Sequence, residues 1–270
     1  MFQNVKNGSI KLGDTEMEYI SFGRGPKNLV MIPGLGDAFT SVKGSATPFA
    51  VAYREYTKAY KVYVFSRKNQ IAEGYSTRDM AKDQAEAMKI LGISTASILG
   101  VSQGGMIAQY IAIDYPQMVE NLILVVTISR PNKIVQSVIS NWIAMAEAKD
   151  YKGIIVDTTE KSYSEKSLKK YRPFYPILGR VGKPKDFSRF IIQATACMNH
   201  NAYADLNRIN CPTLVIGGDS DQVVGNNSSE EIAERITGSQ LFIYHGLGHA
   251  TYEEAKDLNQ RVLEFLSSNK

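Results

Sequence analysis

The sequence predicts an α/β protein: a mostly parallel sheet with helices on both faces. Three observations carry this. Six short apolar runs rich in Val and Ile have the composition of strands buried on both sides. They are NLVMIP (28–33), YKVYVFS (60–66), SILGV (97–101), NLILVVT (121–127), PTLVIGG (212–218) and QLFIYH (240–245). The segments between most of them have helical spacing, and strand–helix alternation favours parallel pairing. Finally, GVSQGG sets a serine among glycines where a predicted strand gives way to a helix, a turn that parallel α/β sheets use at their C-terminal edge.

In chain order, SIKLGDTEMEYISFG alternates around Gly13-Asp14 and predicts an antiparallel hairpin before the parallel strands begin. STRDMAKDQAEAMKILG opens with Ser76 or Thr77 as helix cap and ends at Gly92. GMIAQYIAIDYP follows Ser102 and is stopped by Pro116. YEEAKDLNQRVLEFL places Ala255, Leu258, Val262, Leu263 and Leu266 on one stripe and predicts a single closing helix. The alternation fails between 129 and 206, where the pattern is helical or loop-like, with nine aromatic residues from Trp142 to Tyr203. The expected domains are therefore a core of 1–128 and 207–270 and a helical cap of 129–206.

A chain of 270 residues can build one large core with a small accessory unit. The N-terminal segment has no uninterrupted apolar stretch after a basic start, and no later run spans a bilayer, so a cytoplasmic address is expected. Cys197 and Cys211 form neither a disulfide framework nor a metal pair, and both are expected reduced and structural. The net charge of +4 hides an asymmetry, since Arg130 to Arg189 holds 13 Lys or Arg against 6 Asp or Glu. That excess marks a candidate surface for a substrate with an anionic end or for acidic surroundings, beside the plainer alternative of a solvated helical surface. It carries no nucleic-acid recognition motif, and neither nucleic-acid nor membrane binding is expected.

Chemistry centres on Ser102. A serine on a strand-to-helix turn is held in a strained conformation that projects its hydroxyl, and the flanking glycines keep neighbouring backbone clear. A hydroxyl needs a base within reach and an acid behind that base. Of the three histidines, His249 follows GLG just before the closing helix and is favoured over His245, which ends the last strand. His200 in the inserted segment is read as a packing or surface residue. GGDSD supplies Asp219 and Asp221 just after a buried strand, and Asp221 is favoured as the acid. PGLGD follows the first buried strand, and its glycines allow close approach to substrate. The backbone N–H groups of Leu35 and Gln103 are the expected oxyanion donors.

These stretches, PGLGD, GVSQGG, CPTLVIGGDSD and GLGHATYEE, resemble the α/β-hydrolase superfamily, and within it the small-capped carboxylesterase, enol-lactonase and carbon–carbon hydrolase group. The likeness runs over nearly the whole chain. It implies a sheet of about eight strands, a helical cap inserted after NLILVVT, and no cofactor or metal. Two departures stand out. Pro33-Gly34 replaces the His-Gly of many relatives, and FSRKNQIAEGYS replaces an Asp-x-Arg-Gly-x-Gly loop.

The expected activity is hydrolysis of a small to medium carboxylic ester, lactone or thioester through an acyl-enzyme, by a monomer or homodimer. Carbon–carbon cleavage or peracid formation by the same triad is the alternative chemistry. A slow-turnover ligand-binding protein on the same fold is the alternative class.

Overall fold

The computed structural model describes residues 4–179 and 182–269. Arg180, one of the basic residues counted above, lies outside them. Eight strands form one sheet: β1 (Lys6–Leu12), β2 (Thr15–Phe22), β3 (Lys27–Ile32), β4 (Tyr60–Lys68), β5 (Ala96–Val101), β6 (Val119–Val125), β7 (Thr213–Gly218) and β8 (Gln240–Tyr244). Their order is β1-β2-β4-β3-β5-β6-β7-β8. The β1–β2 hairpin turns at Gly13, whose φ of 59° suits glycine. β2 meets β4 antiparallel and every later pair is parallel.

Strand alternation sorts side chains onto two buried faces. Val30 and Ile32 of β3 join the core beneath α2 (Thr77–Ile90) and α3 (Gln103–Asp114). Leu29 and Met31 face the opposite core, with α1 (Ala46–Ala52) and the C-terminal helix. Helix α2 begins in a capping box, where the Ser76 hydroxyl accepts the Asp79 N–H and the Asp79 carboxylate accepts the Ser76 N–H.

Between β6 and β7 the described residues form helices and no strand, the α-helices being α4 (Lys133–Glu147), α5 (Tyr151–Ser162), α6 (Glu165–Tyr171), α7 (Tyr175–Leu178) and α8 (Ser188–Met198). The apolar faces of α4, α5 and α8 make a third core with Ala38, Met106 and Val224 from the sheet's C-terminal edge. The two ends of this insertion meet, since the Ala202 N–H donates to the Ser129 carbonyl at 2.8 Å. α9 (Ser228–Arg235) follows β7.

The closing segment departs from expectation. It is two helices, α10 (Thr251–Glu254) and α11 (Leu258–Ser268), with Ala255 extended between them. The Asp257 carboxylate holds this break, accepting hydrogen bonds from Tyr244 Oη at 3.0 Å and Arg261 at 2.9 Å. Leu258, Val262 and Leu266 stay on one buried stripe, and Ala255 packs beside it from outside the helix.

Candidate active site

Loops at the C-terminal edge of the sheet bring the sequence-derived candidates together. Ser102 joins β5 to α3 with φ 54° and ψ −118°, a region costly for any residue with a Cβ. Its N–H donates to the Val125 carbonyl at 2.9 Å, and its carbonyl accepts the Thr127 hydroxyl at 2.7 Å. The neighbouring glycines are sterically required. A Cβ on Gly104 would sit 1.9 Å from the Ile32 carbonyl oxygen, and one on Gly100 would sit 2.3 Å from the Gly104 carbonyl oxygen. The helix can therefore start directly against β3, with its N-terminal amides and dipole at the serine.

His249 Nε2 lies 2.9 Å from Ser102 Oγ, and His249 Nδ1 lies 2.8 Å from Asp221 Oδ2. The other carboxylate oxygen of Asp221 accepts the Val223 and Val224 N–H groups at 2.8 and 2.9 Å. Asp221 and His249 are both buried. Gly248 allows the histidine loop to pass the Ser162 carbonyl of α5, which a Cβ would meet at 2.7 Å.

The competing candidates lie elsewhere. His245 Nδ1 pairs with Asp219 Oδ2 at 2.9 Å, but that imidazole is nine-tenths exposed and the pair faces solvent. Asp219 also accepts the Gly246 N–H at 2.8 Å. His200 is buried, with Nδ1 2.9 Å from the Thr77 hydroxyl, and burial pushes its pKa down to about 3. It packs edge-on against Tyr110 in the core.

Leu35 opens a short 3-10 turn, Leu35–Ala38, and Gln103 opens α3. Each therefore has a first-turn N–H without an acceptor in its own helix. Gly34 packs against the serine closely enough that an added Cβ would lie 3.3 Å from Ser102 Cβ. The loop and the elbow are thus in contact.

Beside Ser102 is a cavity of about 410 Å³. Met31, Val64 and Leu99 of the sheet line it, together with Phe49 of α1 and Tyr53. The insertion contributes Trp142, Thr158 and Ser162. Trp142 is held by its indole N–H, which donates to Asp157 at 2.7 Å. Burial pushes the Tyr53 phenol up to about 12, so it stays protonated. No lysine or arginine lines the cavity among the described residues. Much of the insertion's aromatic content packs away from this cavity, with Phe190 stacked on Phe39 at 4.3 Å and Tyr151 edge-on to Phe39.

Sequence reasoning missed a charged cluster behind the PGLGD loop. Asp37, Arg67 of β4 and Arg189 of α8 meet there, with Arg189 Nη2 2.9 Å from Asp37 Oδ2. The Arg67 side chain is wholly buried, which pushes its pKa down, while Asp37 opposes the shift. One signal was present: FSRKNQ keeps an arginine although it lacks the aspartate and glycines of the related loop.

Residues 75–256 match the sequence profile of the serine aminopeptidase S33 family. The chain belongs to that family. It is thereby a hydrolase of the α/β-hydrolase superfamily, and its hydrolase relatives imply a small-molecule substrate. This S33-family chain is 26% identical over 285 residues to the 2-hydroxy-6-oxononadienedioate/2-hydroxy-6-oxononatrienedioate hydrolase of Pseudomonas sp, covering 97% of this chain and 93% of that one. Among solved structures it is similar to the enol-lactonase from Burkholderia xenovorans LB400, with TM-score 0.83, 17% identity and coverage of 96% and 100%. It is equally similar in fold to an α/β hydrolase enzyme from a Medee basin deep-sea metagenome library, with TM-score 0.83, 19% identity and coverage of 96% and 97%. Among the described residues no helix is long and apolar enough to cross a membrane.

Proposed function

We propose that this hydrolase cleaves an uncharged carboxylic ester through an acyl-enzyme on Ser102. The observation that carries the reading is the strained Ser102, with its hydroxyl 2.9 Å from a histidine that is itself backed by a buried carboxylate. His249 takes the serine proton as Oγ attacks the carbonyl carbon. The resulting oxyanion is received by the N–H groups of Leu35 and Gln103. His249 then protonates the leaving alkoxide, and water repeats the sequence against the acyl-enzyme. Asp221 fixes the tautomer of His249 and stabilises its cationic form.

Residues 129–206 act as a cap in this reading, closing the cavity from above through Trp142. The basic excess of the cap does not carry over to the lining: Arg172 pairs with Glu160 and Glu165, Lys161 with Asp157, and Arg189 with Asp37. An anionic group inside the cavity would meet no counter-charge there. An acyl chain or ring bearing a hydroxyl or carbonyl fits a largely apolar chamber with Tyr53 in its lining.

The test is labelling with a fluorophosphonate and mapping of the adduct, followed by turnover of neutral and anionic aryl esters and a vinylogous diketone. The reading expects one adduct, on Ser102, lost in Ser102→Ala and strongly slowed in His249→Ala, with neutral esters turned over best. A folded Ser102→Ala variant that keeps parental turnover removes it. Preferred cleavage of the diketone would transfer the same residues to carbon–carbon chemistry.

A further inference from the structure

We propose that Arg67 is the positioning residue of the oxyanion hole, setting the spacing between the Leu35 and Gln103 amides. The inference rests on the ester-hydrolase reading of the site.

A single nitrogen grips both halves of the hole. Arg67 Nη2 donates to the Pro33 carbonyl, two residues before Leu35, and to Gln103 Oε1 at 2.8 Å. The backbone N–H of Arg67 donates to Asp37 Oδ2 at 3.0 Å, so the loop is held at both ends of the turn that carries Leu35. Gln103 is fixed from its other side, where Nε2 donates to the Gln193 carbonyl at 3.0 Å and to Cys197 Sγ at 3.2 Å on α8. Its side-chain oxygen must then face Arg67. The residue that follows the nucleophile is thereby clamped between β4 and the insertion.

The arrangement is costly as mere packing. Arg67 Nε and Nη1 have no hydrogen-bond partner among the described residues, although the side chain is wholly buried. Buried ion clusters are often replaceable by apolar residues of similar volume without loss of stability. Fixed geometry is what the guanidinium adds, since its planar nitrogen directs two donors at two acceptors on different chain segments. A hole of this kind works only if both N–H groups already point at the place where charge develops.

The experiment compares Arg67→Met, Arg67→Lys and Gln103→Leu with the parent enzyme. Gln103→Leu keeps its backbone N–H while removing the Arg67 acceptor. Turnover of a neutral aryl ester is measured per titrated active site, alongside the affinity for a trifluoromethyl ketone. That inhibitor adds to Ser102 Oγ and places its former carbonyl oxygen, as an oxyanion, in the hole. Arg67→Met is expected to lower kcat about 100-fold with KM nearly unchanged, and to weaken the ketone by the same factor. Arg67→Lys should recover part of both losses, and Gln103→Leu should lose part of both. A purely structural Arg67 would lower Tm and leave kcat per site and ketone affinity at parental values, which overturns the proposal. If Arg67→Met does not fold, parental values in the other two variants overturn it equally. Ser102→Ala, assayed in parallel, separates the two claims: full activity there defeats the ester-hydrolase reading itself, whereas an inactive Ser102→Ala beside fully active Arg67 variants defeats only this inference.

Discussion

Two Asp–His pairs lie within a few residues of each other in this chain, and their surroundings give them opposite prospects. Asp221 and His249 are buried, and the Asp221 carboxylate is held by two backbone amides as well as the imidazole. Asp219 and His245 meet at a similar distance in solvent, where such pairs contribute little. Asp221→Asn should therefore lower kcat by about 10³- to 10⁴-fold, by presenting an amide to the wrong imidazole tautomer. Asp219→Asn should change it by no more than about twofold. Steady-state hydrolysis of a neutral aryl ester by both variants decides this, and comparable losses would show that the exposed pair belongs to the machinery. The meeting of Ser102, Asp221 and His249 was legible in the sequence because each occupies a loop just past an apolar run. Arg67, Asp37 and Arg189 could not, because their contacts join residues 30 to 152 positions apart and leave no local pattern.

At the scale of elements, strands and helices were legible where period and composition agreed. The observed β3, β5 and β7 lie within one residue of the apolar runs that predicted them, and α2 starts at its Ser76 cap. The apolar spacing of the closing segment predicts one continuous helix because nothing in it announces that Asp257 will bind Tyr244 and Arg261 and part the chain at Ala255. The junction of β3 and α3 supplies a sharper test of the elbow's packing. Gly104→Ala would force a methyl group into the Ile32 and Pro33 carbonyls, both of them backbone atoms with little freedom to move. A loss of at least about 2 kcal/mol in unfolding free energy is expected from urea titration. Unchanged stability would mean that helix and strand separate more easily than their contact suggests.

For the whole molecule, acid sensitivity should trace partly to His200, which lies where the insertion returns to the core. It contacts Thr77 of α2, and its pKa is about 3 in the fold against an ordinary 6.5. The unfolded chain therefore binds an extra proton between those two values. The stabilisation due to neutral His200 is complete above pH 6.5, falls as pH is lowered, and is exhausted near pH 3. Between pH 7 and pH 5 this one group removes about 2 kcal/mol of stability. Replacing it by glutamine should flatten that part of the curve by the same amount, whatever the variant's stability at neutral pH. An acid limb as steep as the parent's would exclude His200 as its source.

The hydrogen bond between Ala202 and Ser129 has a consequence for how such a molecule can change over time. Because the insertion leaves and rejoins the sheet at neighbouring points, what lies between them can be lengthened, shortened or exchanged with little strain on β6 or β7. Closing a longer loop between fixed ends adds only about 0.6 kcal/mol per doubling. On the cap reading proposed above, a lineage could thus rewrite the ceiling of the chamber by recombination at a single hinge while keeping the sheet edge that holds Ser102. A replacement would have to keep Arg189 and the Gln193 and Ser162 carbonyls, because these contacts carry the insertion's grip down to Asp37, Gln103 and the Ala250 N–H beside His249.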